Sequence, residues 1–261
     1  MRDSGWIQLH VAEFLLVWQA LGLGEPPAAL EIPHGGRTAV KRAELVEAAD
    51  AALAARDLGT VARPAEDLAS LLRILAESEL ALDLSLASAG EPFRAVSAAR
   101  RQEAATVGVE GTVVRVGGVR RTEMIESLLD TVEGLPAGPG SPANVRAEDY
   151  ANACAAGERE GVSGFVDVLR SAALRPTEFN TLARAVTGRR GGGRFAGSAR
   201  TRYRGRTRTA VTISWVDTAE GRYAFRRSGE WLTVTPADPA RLRAIAHDLV
   251  APLESSGDRC R

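Results

Sequence analysis

Lysine, cysteine, histidine and aromatic residues are all scarce in this chain, and each scarcity excludes something. Lys41 is the only lysine, so arginine supplies nearly all of the 33 basic residues. With Ala and Gly abundant, this reads first as the codon bias of a GC-rich genome. The two cysteines, Cys154 and Cys260, lie far apart with no metal-ligand neighbour. That excludes a disulfide framework and fits reduced thiols in the cytosol. Aromatics are only 5% of the residues, so Ala, Leu and Val must fill most of the core. His10, His34 and His247 stand alone, without the Cys, His or acidic partner that a zinc or di-iron site needs at helical spacing. No cofactor or metal is expected. The most apolar segment, Val11 to Leu23, is interrupted by Glu13 and Gln19, lacks a small-residue cleavage site and is too short for a bilayer. It reads as an amphipathic helix, and neither an exported nor a membrane form is expected.

What remains is ordinary globular material, 45% apolar and 25% charged over 261 residues, enough for one large domain or two smaller ones. The formal charge is zero, so nothing global attracts nucleic acid or an anionic membrane. The distribution is uneven, however. From Arg184 to Arg227 there are twelve arginines against Asp217 and Glu220 alone, and the rest of the chain is correspondingly acidic.

Periodicity divides the chain into two similar series. Trp6 to His10 predicts a short strand, and Phe14, Leu15, Trp18 and Leu21 form a helical stripe that Gly22 and Gly24 end. Further helices are expected from about Arg37 to Arg56 and from Pro64, whose fixed φ suits a first helical turn. Leu80, Leu82, Leu84 and Leu86 then alternate with small or polar residues, as a strand with one buried face does. Strands at Phe93–Ala99, Ala105–Val109 and Thr112–Val116 and a helix over Met124–Val132 complete the first series. Leu135 to Pro142, rich in Pro and Gly, reads as a linker. Beyond it, helices are expected at about 147–156, 160–173 and 176–188. Strands follow at Arg194–Tyr203, Arg208–Asp217, Gly221–Arg227 and Trp231–Thr235, then a helix at Pro239–Leu253.

Each series therefore runs helices, four-strand meander, closing helix, with a Glu-Gly turn at 110–111 and again at 220–221. The expectation is an α+β fold with pseudo-two-fold internal duplication, its halves about 1–134 and 143–254. Either meander alone would leave an unpaired edge and a bare face, so one continuous, mostly antiparallel sheet flanked by helices is favoured over two independent domains.

Catalytic chemistry finds no foothold. Gly188-Arg189-Arg190-Gly191-Gly192-Gly193 lacks the lysine of a phosphate loop and follows a helix instead of a strand, so it reads as a flexible connection. No Gly-x-Ser-x-Gly elbow is present. No catalytic residue is assigned, and the chain is expected not to be an enzyme. Arg200, Arg202, Arg204, Arg206 and Arg208 do stand out, because i, i+2 spacing in an extended strand puts all five on one face. Three readings stay open: a solvated strand or loose hairpin whose like charges prevent edge aggregation, a docking surface for an acidic partner, or a nucleic-acid contact. Trp18, Trp215 and Trp231 read as core by default. Any of them left exposed would be a contact residue, and Trp215 joins the five arginines as a candidate.

The residues also resemble a known family. The run Phe14-Leu15-Leu16-Val17-Trp18-Gln19-Ala20-Leu21-Gly22-Leu23-Gly24, with Ile32-Pro33-His34-Gly35-Gly36-Arg37-Thr38, is similar to the N-terminal signature of EspG-type secretion chaperones. Asp217-Thr218-Ala219-Glu220-Gly221-Arg222-Tyr223 and Trp231-Leu232-Thr233-Val234-Thr235-Pro236-Ala237-Asp238 resemble their C-terminal half. The resemblance implies a central sheet flanked by two helical bundles. It further implies a cytoplasmic chaperone of type VII (ESX) secretion in actinobacteria, which binds the tip of a PE–PPE-type heterodimer and keeps it soluble for export. The sheet face, the C-terminal helices and the loop between the first two meander strands are the implied contacts. Here that loop, Ala87 to Pro92, is short. A nucleic-acid-binding regulator using strand 200–208 is the alternative.

Overall fold

Period-two alternation builds one sheet, and the helices are placed by which of its faces they cover. The structure, a computed structural model, describes residues 5–32, 39–87, 90–172, 174–201, 205–208 and 212–258. Strand β1 (Trp6–His10) runs into α1 (Val11–Ala20), followed by α2 (Ala39–Ala54) and α3 (Glu66–Ala76). The first meander is β2 (Leu80–Ala87), β3 (Phe93–Arg100), β4 (Glu103–Glu110) and β5 (Val113–Arg120), closed by α4 (Met124–Leu129). After the crossing segment come β6 (Ala143–Arg146), α5 (Ala147–Arg170) and α6 (Pro176–Val186). The last series is β7 (Arg189–Thr201), β8 (Gly205–Arg208), β9 (Ile213–Thr218), β10 (Gly221–Ser228), β11 (Trp231–Pro236) and α7 (Pro239–Asp258).

The strands order as β1-β5-β4-β3-β2-β7-β9-β10-β11-β6, with β8 folded back on β7, and their pairings are antiparallel. The sheet is thus continuous, joined at its middle by β2 and β7 from Leu80↔Ala199 to Ala87↔Gly192. Read from either edge, the order is the same once β1 to β5 are matched with β6, β7, β9, β10 and β11. This is a symmetry of topology.

One face of the sheet is closed. Leu80, Leu82 and Leu84 of β2, with Phe195, Ile213 and Trp215, are buried beneath α4 and α7. The other face is covered only at its two ends. At one end Phe14, Trp18, Leu53, Leu68 and Leu72 of α1 to α3 pack on Val96, Val107 and Val116. At the other, Phe165, Leu169 and Leu182 of α5 and α6 pack on Tyr223, Phe225 and Val234. Burying one large apolar side chain in such a layer stabilises the fold by about 1.5–3 kcal/mol relative to exposure.

Several expectations need correction. His10 is a helix cap: its Nδ1 accepts the Ala12 N–H at 3.1 Å, and the Glu13 carboxylate accepts the His10 N–H at 2.7 Å. The two helices expected at 147–156 and 160–173 are present as the two arms of α5, which breaks at Gly161, whose φ of 71° is outside helical space. The four-residue strand β6 went unrecognised. The glycine run is no loose connection, because Gly191 to Gly193 lie within β7 and a bulge falls between Arg189 and Gly191. A Cβ on Gly193 would meet the Trp215 ring at 2.3 Å, so the glycines let two strands close over a tryptophan. The segment Leu135 to Pro142 is strapped down: Arg222 donates its N–H to the Pro136 carbonyl at 2.9 Å, and Gly138 donates to the Arg222 carbonyl at 3.0 Å.

Candidate binding surface

Between the two helical layers, the central strands β2, β7 and β9 form the floor of a groove of about 750 Å³. The floor follows from alternation: the leucines of β2 turn to the closed face, so Asp83 and Ser85 turn to this one. Register extends the pattern across strands, and one transverse row reads Arg94, Ser85, Arg194, Ser214 and Phe225. Ala29 and Glu31, from the segment after α1, line one side. Ala147, Tyr150, Ala151 and Cys154, on the first turns of α5, line the other.

The electrostatics of floor and wall differ. The Arg94 guanidinium pairs with Glu31, while its Nε is buried without a partner. Arg194 is about half exposed and its guanidinium lies 3.9 Å from Asp83, beyond hydrogen-bond distance. Arg189 and Arg227 are exposed and, among the described residues, have no carboxylate within ion-pair range. The α5 wall is neutral instead. Burial pushes the Tyr150 phenol and the Cys154 thiol above their ordinary pKa values, so both hold their protons at physiological pH. The opposite face has its own concavity, about 680 Å³, between Trp6, Phe93 and the segment after α4. There Glu91, Glu110 and Glu133 lack an ion-pair partner among the described residues and outnumber Arg115 and Arg190. The two openings therefore differ in sign.

The five arginines do not form one strand. β8 pairs antiparallel with the end of β7, setting Arg206 opposite Arg200 and Arg208 opposite Ser198. Arg200 is exposed and shares the groove face with Arg194, three alternations away. Arg202 and Arg204 lie outside the described residues. Trp215 is 2% exposed and its side chain belongs to the core of the closed face. Trp18 is core, as expected, with its Nε1 donating to the Gly24 carbonyl at 2.9 Å. Trp231, expected in the core, is 49% exposed and carries the Arg146 guanidinium 5.4 Å above its ring. The groove arginines 94, 194 and 227 were not singled out from sequence. The available signal was the alternation Arg194, Ala196, Ser198, Arg200, which places both arginines on the face that Leu80 to Leu84 do not use.

Among the described residues no group of three or more His, Cys, Asp or Glu side chains is placed to hold a metal ion, and no helix is long and apolar enough to cross a membrane. Comparison with known proteins gives two findings. The family model of the EspG family matches residues 10–248. Among solved structures, the fold is similar to that of the Mycobacterium tuberculosis type VII secretion system chaperone EspG5 in complex with a PE25-PPE41 dimer. That likeness has a TM-score of 0.77 at 17% identity and covers 94% of this chain and 95% of that one. No curated protein sequence matches significantly.

Proposed function

Because this chain belongs to the EspG family, we propose that it is a cytoplasmic, non-catalytic chaperone of type VII secretion, which seats the tip of a PE–PPE-type helical heterodimer in the groove over β2, β7 and β9. The observation that carries this reading is the uncovered centre of the sheet, flanked by two helical layers in a fold similar to that of a chaperone solved with such a dimer. Three adjacent strands span about 10 Å, the diameter of one helix with its side chains. The floor is rigid, because its underside is packed by α4 and α7. A rigid surface loses little conformational entropy on binding, which lets a moderate interface mask an apolar tip and still release it. The half-buried Val216 and Leu232 and the buried Phe225 give the groove an apolar side, with arginines at its margins.

Co-expression with PE–PPE pairs encoded by the same genome tests the reading. One pair is expected to co-elute with the chain as a stable 1:1:1 complex in size-exclusion chromatography with light scattering. Ser85→Trp, which fills the floor, is expected to abolish that complex while leaving the circular dichroism spectrum unchanged. Absence of a complex with every such pair, or an undiminished complex with Ser85→Trp, would count decisively against this site.

A further inference from the structure

Three of the twelve arginines between residues 184 and 227 line this groove, and their placement specifies more than a shape. We infer that the docking segment of the partner carries carboxylates beside its apolar residues, and that Arg189, Arg194 and Arg227 are the groups that recognise them. This rests on the chaperone reading above and adds the chemistry of the occupant.

Three observations converge on it. Arg189, Arg194 and Arg227 line a single concavity, and among the described residues the one carboxylate within ion-pair range of any of them is Asp83, 3.9 Å from Arg194. Among the described residues only the Arg227 Nε is engaged, donating to the Gly229 carbonyl at 3.2 Å, which leaves the terminal guanidinium nitrogens for the bidentate geometry that carboxylates offer. The neighbouring wall of Ala147, Tyr150, Ala151 and Cys154 carries no charge, and all but Ala151 are half-buried, so a carboxylate seated against it is screened less from the guanidinium groups than it would be in open water. Finally, the concavity on the opposite face presents Glu91, Glu110 and Glu133, which repel an acidic segment and leave the groove as its preferred seat.

A nucleic acid fits less well. Asp83 and Glu31 interrupt any phosphate track through the floor. Tyr150 on the groove wall already packs against Phe165 and Phe225, each with ring centroids at 6.0 Å, so it is not a free platform for stacking bases in the groove.

The test uses the full chain and the PE–PPE pair that forms the ternary complex. Affinity is measured calorimetrically at 50 and 300 mM NaCl for the wild type, for Arg194→Gln with Arg227→Gln, and for Arg194→Glu with Arg227→Glu. Circular dichroism confirms that each variant is folded. Wild-type affinity is expected to fall as salt rises. The double Glu variant is expected to bind at least about tenfold more weakly at low salt, with the Gln variant between them and both less sensitive to salt. Equal affinities across the three proteins, or a wild-type affinity indifferent to salt, would overturn the inference and leave the chaperone reading standing. Retention of a 20-mer DNA by the wild type at 50 mM NaCl, lost in the same variants, would also overturn it. If no PE–PPE pair binds the wild type, the chaperone reading itself fails, and that is visible before any variant is made.

Discussion

At the residue scale, two tryptophans of the same meander have opposite fates. Trp215 sits mid-strand on the closed face, where α7 reaches it, and is buried. Trp231 opens β11 beside the short edge strand β6, opposite Arg146, and is half exposed. Composition treats the two alike, and only the lateral position of each strand in the sheet separates them. A buried carboxylate behaves the same way. Glu178, near the start of α6, accepts the Arg175 backbone N–H at 3.1 Å and that residue's guanidinium at 2.8 and 3.1 Å. The Arg175 guanidinium, aided by backbone bonds from Arg175 and Asn144, lowers the carboxyl pKa to about 2. A folded-state value depressed in this way contributes stability that is complete above the ordinary carboxylate range and is lost as pH falls towards 2. Glu178→Gln is therefore expected to lower the urea midpoint at pH 7, with the gap to wild type narrowing progressively below about pH 4.5. A gap that stays constant down to pH 2.5 would show that the charge on Glu178 contributes nothing.

At the scale of elements, alternation and helical stripes were enough to place most strands and helices. The failures have physical causes. Strand β6 has four residues, too few for period two to register, and it exists because Ala143 and Val145 pack beneath α5 and α6. The Arg-x-Arg run satisfies a hairpin as well as a strand, since both keep alternate residues on one face, and only the pairing of β8 with β7 decides between them. The crossing segment looked like a linker because Pro and Gly dominate it, yet its anchor lies far along the chain. Arg222 is fully buried, held by Asp217 at 2.6 Å and 3.2 Å, and its guanidinium donates to the Glu133 carbonyl at 2.9 Å. Arg222→Ala removes one partner of a shielded ion pair and frees the start of the strap, a loss of about 3 kcal/mol. Chemical denaturation should show that loss, and thermolysin should cut near Leu135 faster than in the wild type. Unchanged cleavage there would mean that the backbone bonds of Pro136 and Gly138 hold the strap unaided.

For the whole molecule, the seam between β2 and β7 makes one body of two series. The expectation of a single sheet came from edges that neither meander could satisfy alone, and the structure supplies the partner each was missing. The groove was less legible, because it is defined by what the helices leave uncovered, and no local pattern encodes an absence of cover. The seam also carries the core beneath that groove: Leu80, Leu82 and Leu84 from the first series bury against Phe195, Ile213 and Trp215 from the second, with Leu242 and Leu249 of α7 closing the layer. A fragment ending at residue 134 would strip α7, Phe195, Ile213 and Trp215 from those leucines and leave only α4 over them, beside a full-length unpaired edge, the condition under which strands associate with other chains. Residues 1–134 expressed alone are therefore expected to aggregate or remain molten, with no sharp thermal transition. Co-expressed with residues 135–261 they are expected to recover a soluble complex with the circular dichroism of the intact chain. A monomeric, cooperatively melting 1–134 fragment would show instead that each series closes its own core. The groove floor would then be a junction between two bodies, free to change shape as a partner binds.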